Sequence, residues 1–298
     1  MSHELDALNK RLDHIEGLLE RLASGQKQDA KWRSIFKTQM NALIRAQFVG
    51  PELAATDALQ AKRFRLRSQN EEDGIVLALL HAAGVSTRRF VEIGCGGNGG
   101  NSGLLAYELG WSGLMLDSSG AAVRTARDVF AGKSRVRIER ETVTTENIND
   151  VLTRFGFAGE VDFLSIDVDS VDYWLLDALT VTNARVLSME YNALFGPSRA
   201  VTIPNAPRPQ GAKGYHGASL AALEMCARRK GYRLVLCEDA GINAFFVRDG
   251  LAPGIPTVPV ADAWRPRSRR YDVTGETPAA ERDIYKMIEE KGLALVDV

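Results

Sequence analysis

The sequence predicts an α/β fold built on a mostly parallel sheet, and three observations carry that expectation. Short runs of β-branched, aromatic and aliphatic residues recur along the chain with an acid at or next to their ends: Phe90-Val91-Glu92, Leu116-Asp117, Ile166-Asp167 and Met189-Glu190. Segments with helical apolar spacing separate these runs, the pattern of crossover units in a parallel sheet. The first run breaks into Gly94-Cys95-Gly96-Gly97-Asn98-Gly99-Gly100, a tight turn at the strand end where open α/β sheets place their ligand crevice.

At 298 residues, 45% of them hydrophobic, the chain can bury a sizeable core in one large or two small domains. Its 37 Lys and Arg against 38 Asp and Glu leave no global field to recruit nucleic acid or a membrane surface. Cys95, Cys226 and Cys237 have no CxxC spacing, which argues against a disulfide framework or structural zinc. Met1-Ser2-His3-Glu4 begins neither a basic nor an apolar signal region, and no apolar run reaches the roughly 18 residues of a membrane span. The expectation is a cytoplasmic protein without a membrane span or a nucleic-acid partner.

In chain order, Leu5, Leu8, Leu12, Ile15, Leu19 and Leu22 form a heptad seam, so residues 1–48 are expected to be a helical coiled coil that makes a homo-oligomer. The alternative is an amphipathic helix folded back on the chain. Residues 49–250 form the expected catalytic domain and 251–298 an extension. Lys62, Arg63, Arg65 and Arg67 are either a solvated face or a contact for an anionic substrate. Ser68-Gln69-Asn70-Glu71 fits a capping box, which predicts a helix of about fifteen residues running into the first strand.

Ser102–Leu109, Ala121–Phe130 and Ile148–Phe155 read as crossover helices, with strands at Trp111–Asp117, Arg135–Glu139, Val161–Asp167 and Arg185–Glu190. The connection 193–215 carries Pro197, Pro204, Pro207 and Pro209, and is expected to be a substrate-facing lid outside the core. Gly217–Arg229 reads as a helix, followed by alternating strands at Tyr232–Cys237 and Asn243–Arg248. The last fifty residues, with Pro253, Pro256, Pro259 and Pro266 and the basic run Arg265, Arg267, Arg269 and Arg270, are either a flap, an oligomer contact or a loose tail.

The spacing Gly94-x-Gly96-x-x-Gly99 also fits a dinucleotide loop, so the discriminating residue is Glu92. A carboxylate two residues before the first glycine suits a cationic amino group and repels a pyrophosphate. This acid-x-Gly-x-Gly segment resembles the first motif of class I S-adenosylmethionine-dependent methyltransferases. The closing strand pair is similar to their antiparallel last strands. Ser68-Gln69-Asn70-Glu71-Glu72-Asp73-Gly74 resembles the segment before the cofactor strand in FkbM-like methyltransferases, many of which modify sugar or natural-product hydroxyls.

The resemblance implies a Rossmann-like class I methyltransferase sheet and S-adenosylmethionine as cofactor. It implies O-methylation of a glycan or sugar-bearing small molecule by a displacement needing a positioned nucleophile and a route for its proton. The cofactor-binding residues it implies are Gln69, Asp73, Glu92, Gly94, Gly96, Gly99, Ser102, Asp117, Ser118 and Asp167. Of these, Asp117 lies 25 residues after Glu92, where such folds set a carboxylate against the ribose hydroxyls.

Two routes for the proton stay open. His216 is a candidate general base, with Asp167 in the active site. Alternatively Asp167, Asp169, Glu190 and Asn192 hold Mg²⁺ or Mn²⁺, hard cations suited to oxygen ligands at adjacent strand ends. These acids resemble the ligand positions of metal-dependent catechol and macrolide-sugar O-methyltransferases, with Tyr191 standing between the strand-five acid and the amide. Two other functions are weighed beside these: a non-catalytic, nucleotide- or S-adenosylmethionine-binding scaffold, and an NAD-dependent oxidoreductase, disfavoured by Glu92 and the closing strand pair.

Overall fold

The computed structural model describes residues 59–206, 209, 212, 214–267 and 284–298. The coiled-coil expectation for 1–48 lies outside them. The described chain runs through α1 (Glu72–Ala83), β1 (Arg89–Ile93), α2 (Gly103–Tyr107), β2 (Ser112–Asp117), α3 (Gly120–Val129), β3 (Val136–Arg140), α4 (Ile148–Arg154) and β4 (Gly159–Ile166). It continues through α5 (Asp172–Ala178), β5 (Thr182–Glu190), β6 (Val201–Thr202), α6 (Leu220–Arg229), β7 (Tyr232–Cys237), β8 (Asn243–Arg248), α7 (Val260–Ala263), α8 (Ile284–Glu290) and β9 (Val296–Asp297).

Seven strands form one sheet in the order β3-β2-β1-β4-β5-β8-β7. The first five are parallel, and β8 pairs antiparallel with both β5 and β7. This is the Rossmann-like methyltransferase sheet expected from the sequence, mostly parallel with an antiparallel closing pair. Sheet order reverses between β1 and β4, so the crevice above those two strand ends is the topological switch point.

The pleat sorts β1 by face. Val91 and Ile93 join Leu114, Leu116, Leu164 and Leu187 in the core layer under α4, α5 and α6. Glu92 points the other way, toward the face on which α1 packs against β5 and β8. Full burial of each large aliphatic side chain in these layers contributes about 1.5–3 kcal/mol.

Three local expectations change. The capping box does not form: α1 begins at Glu72, and Asp73 instead accepts from the backbone N–H groups of Leu66, Arg67 and Ser68 at 2.6, 2.6 and 3.1 Å. A buried carboxylate with three amides in reach is a stronger anchor than one hydroxyl at a helix start. In the basic run, Arg65 is exposed whereas Arg63 and Arg67 are half-buried and paired within the chain. Arg63 pairs with Asp239 and Glu71, and Arg67 pairs with Glu108 while lying over the Tyr107 ring.

The connection after β5 also differs from a lid outside the core. Phe195, Val201, Ile203, Ala212 and Tyr215 are buried with Ile284 and Ile288 of α8 in a small second core. The returning chain supplies the apolar partners that the Pro-rich segment lacks on its own.

Candidate active site

The strand ends and their loops enclose a cavity of about 480 Å³, lined among others by Gln69, Gly94, Cys95, Gly96, Asn101, Asp117, Ser118, Asp167, Asp169 and Asn243. The loop after β1 is built by backbone bonds across the sheet: Gly94 and Cys95 N–H donate to Leu116 O at 2.8 and 3.0 Å. Gly94 has φ +90°, and a Cβ there would lie 1.6 Å from Asp167 O, so only glycine lets the chain turn this close to the β4 end.

Asp117 stands at the cavity wall. Its Oδ2 accepts from Gly96 N at 2.9 Å and its Oδ1 from Ser119 N at 2.7 Å, which fixes the carboxylate against the glycine loop. Glu141, Thr142 and Val143 of the polar stretch after β3 line the same cavity.

Glu92 is placed differently from a wall residue. It is fully buried, outside the lining, and its Oε2 accepts from Ser102 N and Oγ at 2.9 and 2.5 Å while Oε1 accepts from Asn101 N at 3.2 Å. At Gly100 (φ +55°) a Cβ would come within 2.1 Å of Glu92 Oε1, so the glycine is what lets the carboxylate reach the turn. Burial lifts the Glu92 carboxyl to about 7 despite those hydrogen bonds. Glu92 thus holds the turn after β1 from beneath through Asn101 and Ser102.

Gly99, Ser102 and Asp73 likewise support the cavity without lining it, whereas Gln69, Gly94, Gly96, Asp117, Ser118 and Asp167 line it. The sequence reading missed Asn101 and Asn243. Asn101 Nδ2 lies 3.3, 3.2 and 3.3 Å from Ser165 Oγ, Ser188 Oγ and Asn243 Oδ1, and Asn243 Nδ2 donates to Glu72 Oε1 at 3.1 Å. Glu92, Ser165 and Ser188 share one register across β1, β4 and β5. The signal was in the sequence as a polar residue at the same height in three otherwise apolar strands.

At one edge of the cavity, the loop after β4, which lines it, and the end of β5 form a second cluster. Asp172, fully buried, accepts from Val168 N at 2.7 Å and Ser170 N at 3.1 Å, shaping the loop that holds Asp169 in a left-handed conformation (φ +56°). Glu190 Oε2 lies 3.7 Å from His216 Nδ1, both side chains nearly excluded from solvent. One ligand atom each of Asp169, Glu190 and His216 fall within 4.8 Å of one another. Glu190 Oε2 is buried and has no hydrogen-bond partner among the described residues. Burial, together with the charge of neighbouring carboxylates, pushes both Asp167 and Glu190 well above the usual carboxylate range.

Asn192, also named as a metal ligand, has its Oδ1 accepting from Leu194 N at 3.1 Å, and its Nδ2 donates to Gly214 O at 2.7 Å and His216 O at 2.9 Å. Its amide is therefore tied to the segment that carries His216.

No protein-family model and no curated protein matches the chain. Similar solved structures include the N-terminal domain of EvdMO1 with SAH bound, 14% identical over 65% of this chain and 93% of that one, with a TM-score of 0.42. An O-methyltransferase from Bacillus cereus in complex with SAH is 16% identical, over 67% and 93% of the two chains, with a TM-score of 0.40. The fibrillarin pre-rRNA processing protein of Methanococcus jannaschii is 11% identical, over 61% and 77%, with a TM-score of 0.40.

Proposed function

We propose that this chain is an S-adenosylmethionine-dependent O-methyltransferase acting on a hydroxyl of a glycan or sugar-bearing small molecule. The observation that carries the cofactor is the charge of the cavity wall. Asp117, Glu141, Asp167 and Asp169 line it, and no Lys or Arg does among the described residues. Such a wall attracts an ammonium and a sulfonium and repels the pyrophosphate of NAD. The sugar acceptor rests on the sequence resemblance alone.

When bound, the cofactor supplies an electrophilic methyl group. Asp117 is assigned to the ribose hydroxyls, since its carboxylate has lone pairs beyond those used by Gly96 and Ser119. Gln69 and Asp167 flank the loop end of the cavity, where a cationic amino group is favoured. His216 would take the proton of the acceptor hydroxyl, leaving its oxygen free to act as the nucleophile toward that methyl group. Glu190, beside Nδ1, holds the imidazole in orientation and stabilises its charged form.

A second reading has its own observation. Asp169, Glu190 and His216 converge with a buried carboxylate oxygen lacking a hydrogen bond, which fits a divalent cation such as Mn²⁺ or Mg²⁺. Asp167 is then the fourth group beside it, and His216 is a ligand rather than a base. The proposal further places residues 1–48 in a homo-oligomeric coiled coil and the protein in a reducing cytoplasm, consistent with its buried free cysteines.

Calorimetric titration with S-adenosylhomocysteine, against NAD and with or without Mn²⁺ or Mg²⁺, tests these readings. Micromolar binding of S-adenosylhomocysteine alone is expected. Binding of NAD instead would overturn the cofactor assignment. Turnover that survives chelation supports His216 as base, and loss restored by Mn²⁺ supports the metal.

A further inference from the structure

We infer that residues 294–298, acting through β6 and Tyr215, are the positioning device of His216, an inference that deepens the role just assigned to that histidine. β6 is the middle of a three-strand arrangement. On one side β9 pairs with it at Val201↔Asp297 and Thr202↔Val296, and Val298 N donates to Ala200 O at 3.1 Å. On the other side lies the segment just after His216: Ser219 N donates to Val201 O at 2.8 Å, Ile203 N to Gly217 O at 3.1 Å, and Thr202 bridges Ala218.

The residue before His216 is tied to the same returning chain. Tyr215 is 3% exposed, and its hydroxyl donates to Ala294 O at 2.5 Å. Two further ties reach the segment from the strand ends, Asn192 Nδ2 to the Gly214 and His216 carbonyls and Gly217 N to Ser170 O at 2.8 Å. With its backbone held from β5, from the β4 loop and from β6, His216 has little freedom to leave Glu190. A side chain held in register by its neighbours keeps its geometry at little entropic expense during the reaction.

These contacts could serve stability alone, so the test needs a readout that stability does not move. Histidine ¹H–¹⁵N correlation spectra provide it, because the chain has 4 histidines and His81 of α1 serves as an internal reference. Two variants are compared with the full chain: Tyr215→Phe, which keeps the buried ring and removes only the bond to Ala294, and a chain ending at Leu293. The expected result is that the His216 imidazole signals move while those of His81 stay. S-adenosylhomocysteine affinity should stay within about threefold, and kcat should fall about 10- to 100-fold with KM little changed. His216 signals that stay in place in Tyr215→Phe would overturn the inference, as would a fall in kcat matched by equal loss of cofactor affinity. Should the shortened chain fail to fold, Tyr215→Phe decides. Absence of methyl transfer in the full chain would refute the proposed function while the spectra still judge the positioning.

Discussion

The cavity over the glycine loop and the cluster beside it are both made of carboxylates at strand ends, yet they use those carboxylates in opposite ways. In the cavity, both oxygens of Asp117 accept backbone N–H groups, and so do both oxygens of Glu92 beneath it. The acids there shape the loop before any ligand arrives. In the neighbouring cluster, Glu190 keeps one buried oxygen without a hydrogen bond, facing His216 at 3.7 Å. Leaving a buried acceptor unsatisfied costs about 1–3 kcal/mol, so its retention points to a proton or an ion as its partner. Under the proposed function, the first region recognises the cofactor and the second carries the chemistry.

The sharpest way to break this division is at the second region. His216→Asn and Glu190→Gln should each lower kcat by about 10²- to 10⁴-fold, with S-adenosylhomocysteine affinity nearly unchanged by calorimetry. Equal loss of affinity would merge the two regions into one. Asp117→Ala should do the reverse, weakening cofactor binding by about 10- to 150-fold, the worth of charge-assisted hydrogen bonds to two hydroxyls, in a chain whose circular dichroism is unchanged. Retained affinity would remove Asp117 from the site.

A smaller effect probes the support beneath the cavity. Because burial lifts Glu92 from 4.5 to about 7, the folded chain holds a proton that the unfolded chain gives up near 4.5. Its contribution to stability is complete below pH 4.5 and is lost as the pH rises through 7. A cation in the cavity favours the ionised form, so binding of S-adenosylmethionine at pH 7, where Glu92 is about half protonated, should release up to about half a proton. Calorimetry in two buffers of different ionisation enthalpy reads it, and heats that do not depend on the buffer would show that Glu92 does not sense the ligand. The smallest effect on chemistry is expected from removal of residues 1–24. Light scattering should show fewer subunits while turnover per subunit persists; an unchanged mass would refute the heptad seam.

The two regions also differed in how far the sequence revealed them. The cavity arises from local signals, since Glu92, the glycines and Asp117 sit on consecutive strand ends whose apolar runs mark their own boundaries. What local signals did not reveal there was direction. Alternation within β1 sends Glu92 to the α1 face, and its reach to Ser102 depends on the missing Cβ at Gly100, a tertiary detail that spacing does not encode. The second cluster joins positions 169, 190 and 216 across a long connection. Asn192 looked like a ligand by its distance from Glu190, and its amide is tied to the Gly214 and His216 carbonyls. The connection itself looked like an exposed lid because its apolar partners, Ile284 and Ile288, come from about eighty residues further on.

The seating of Val298 against Ala200 carries a practical consequence for handling the protein. Any peptide fused after residue 298 would emerge at the edge of β6, two strands from the histidine assigned to proton transfer. Under the proposed positioning of His216, an extension that detaches the edge pairing is expected to lower turnover while leaving cofactor titrations intact. A preparation tagged there could be mistaken for a binding protein without activity, so the tag should be cleaved before any acceptor is judged unreactive.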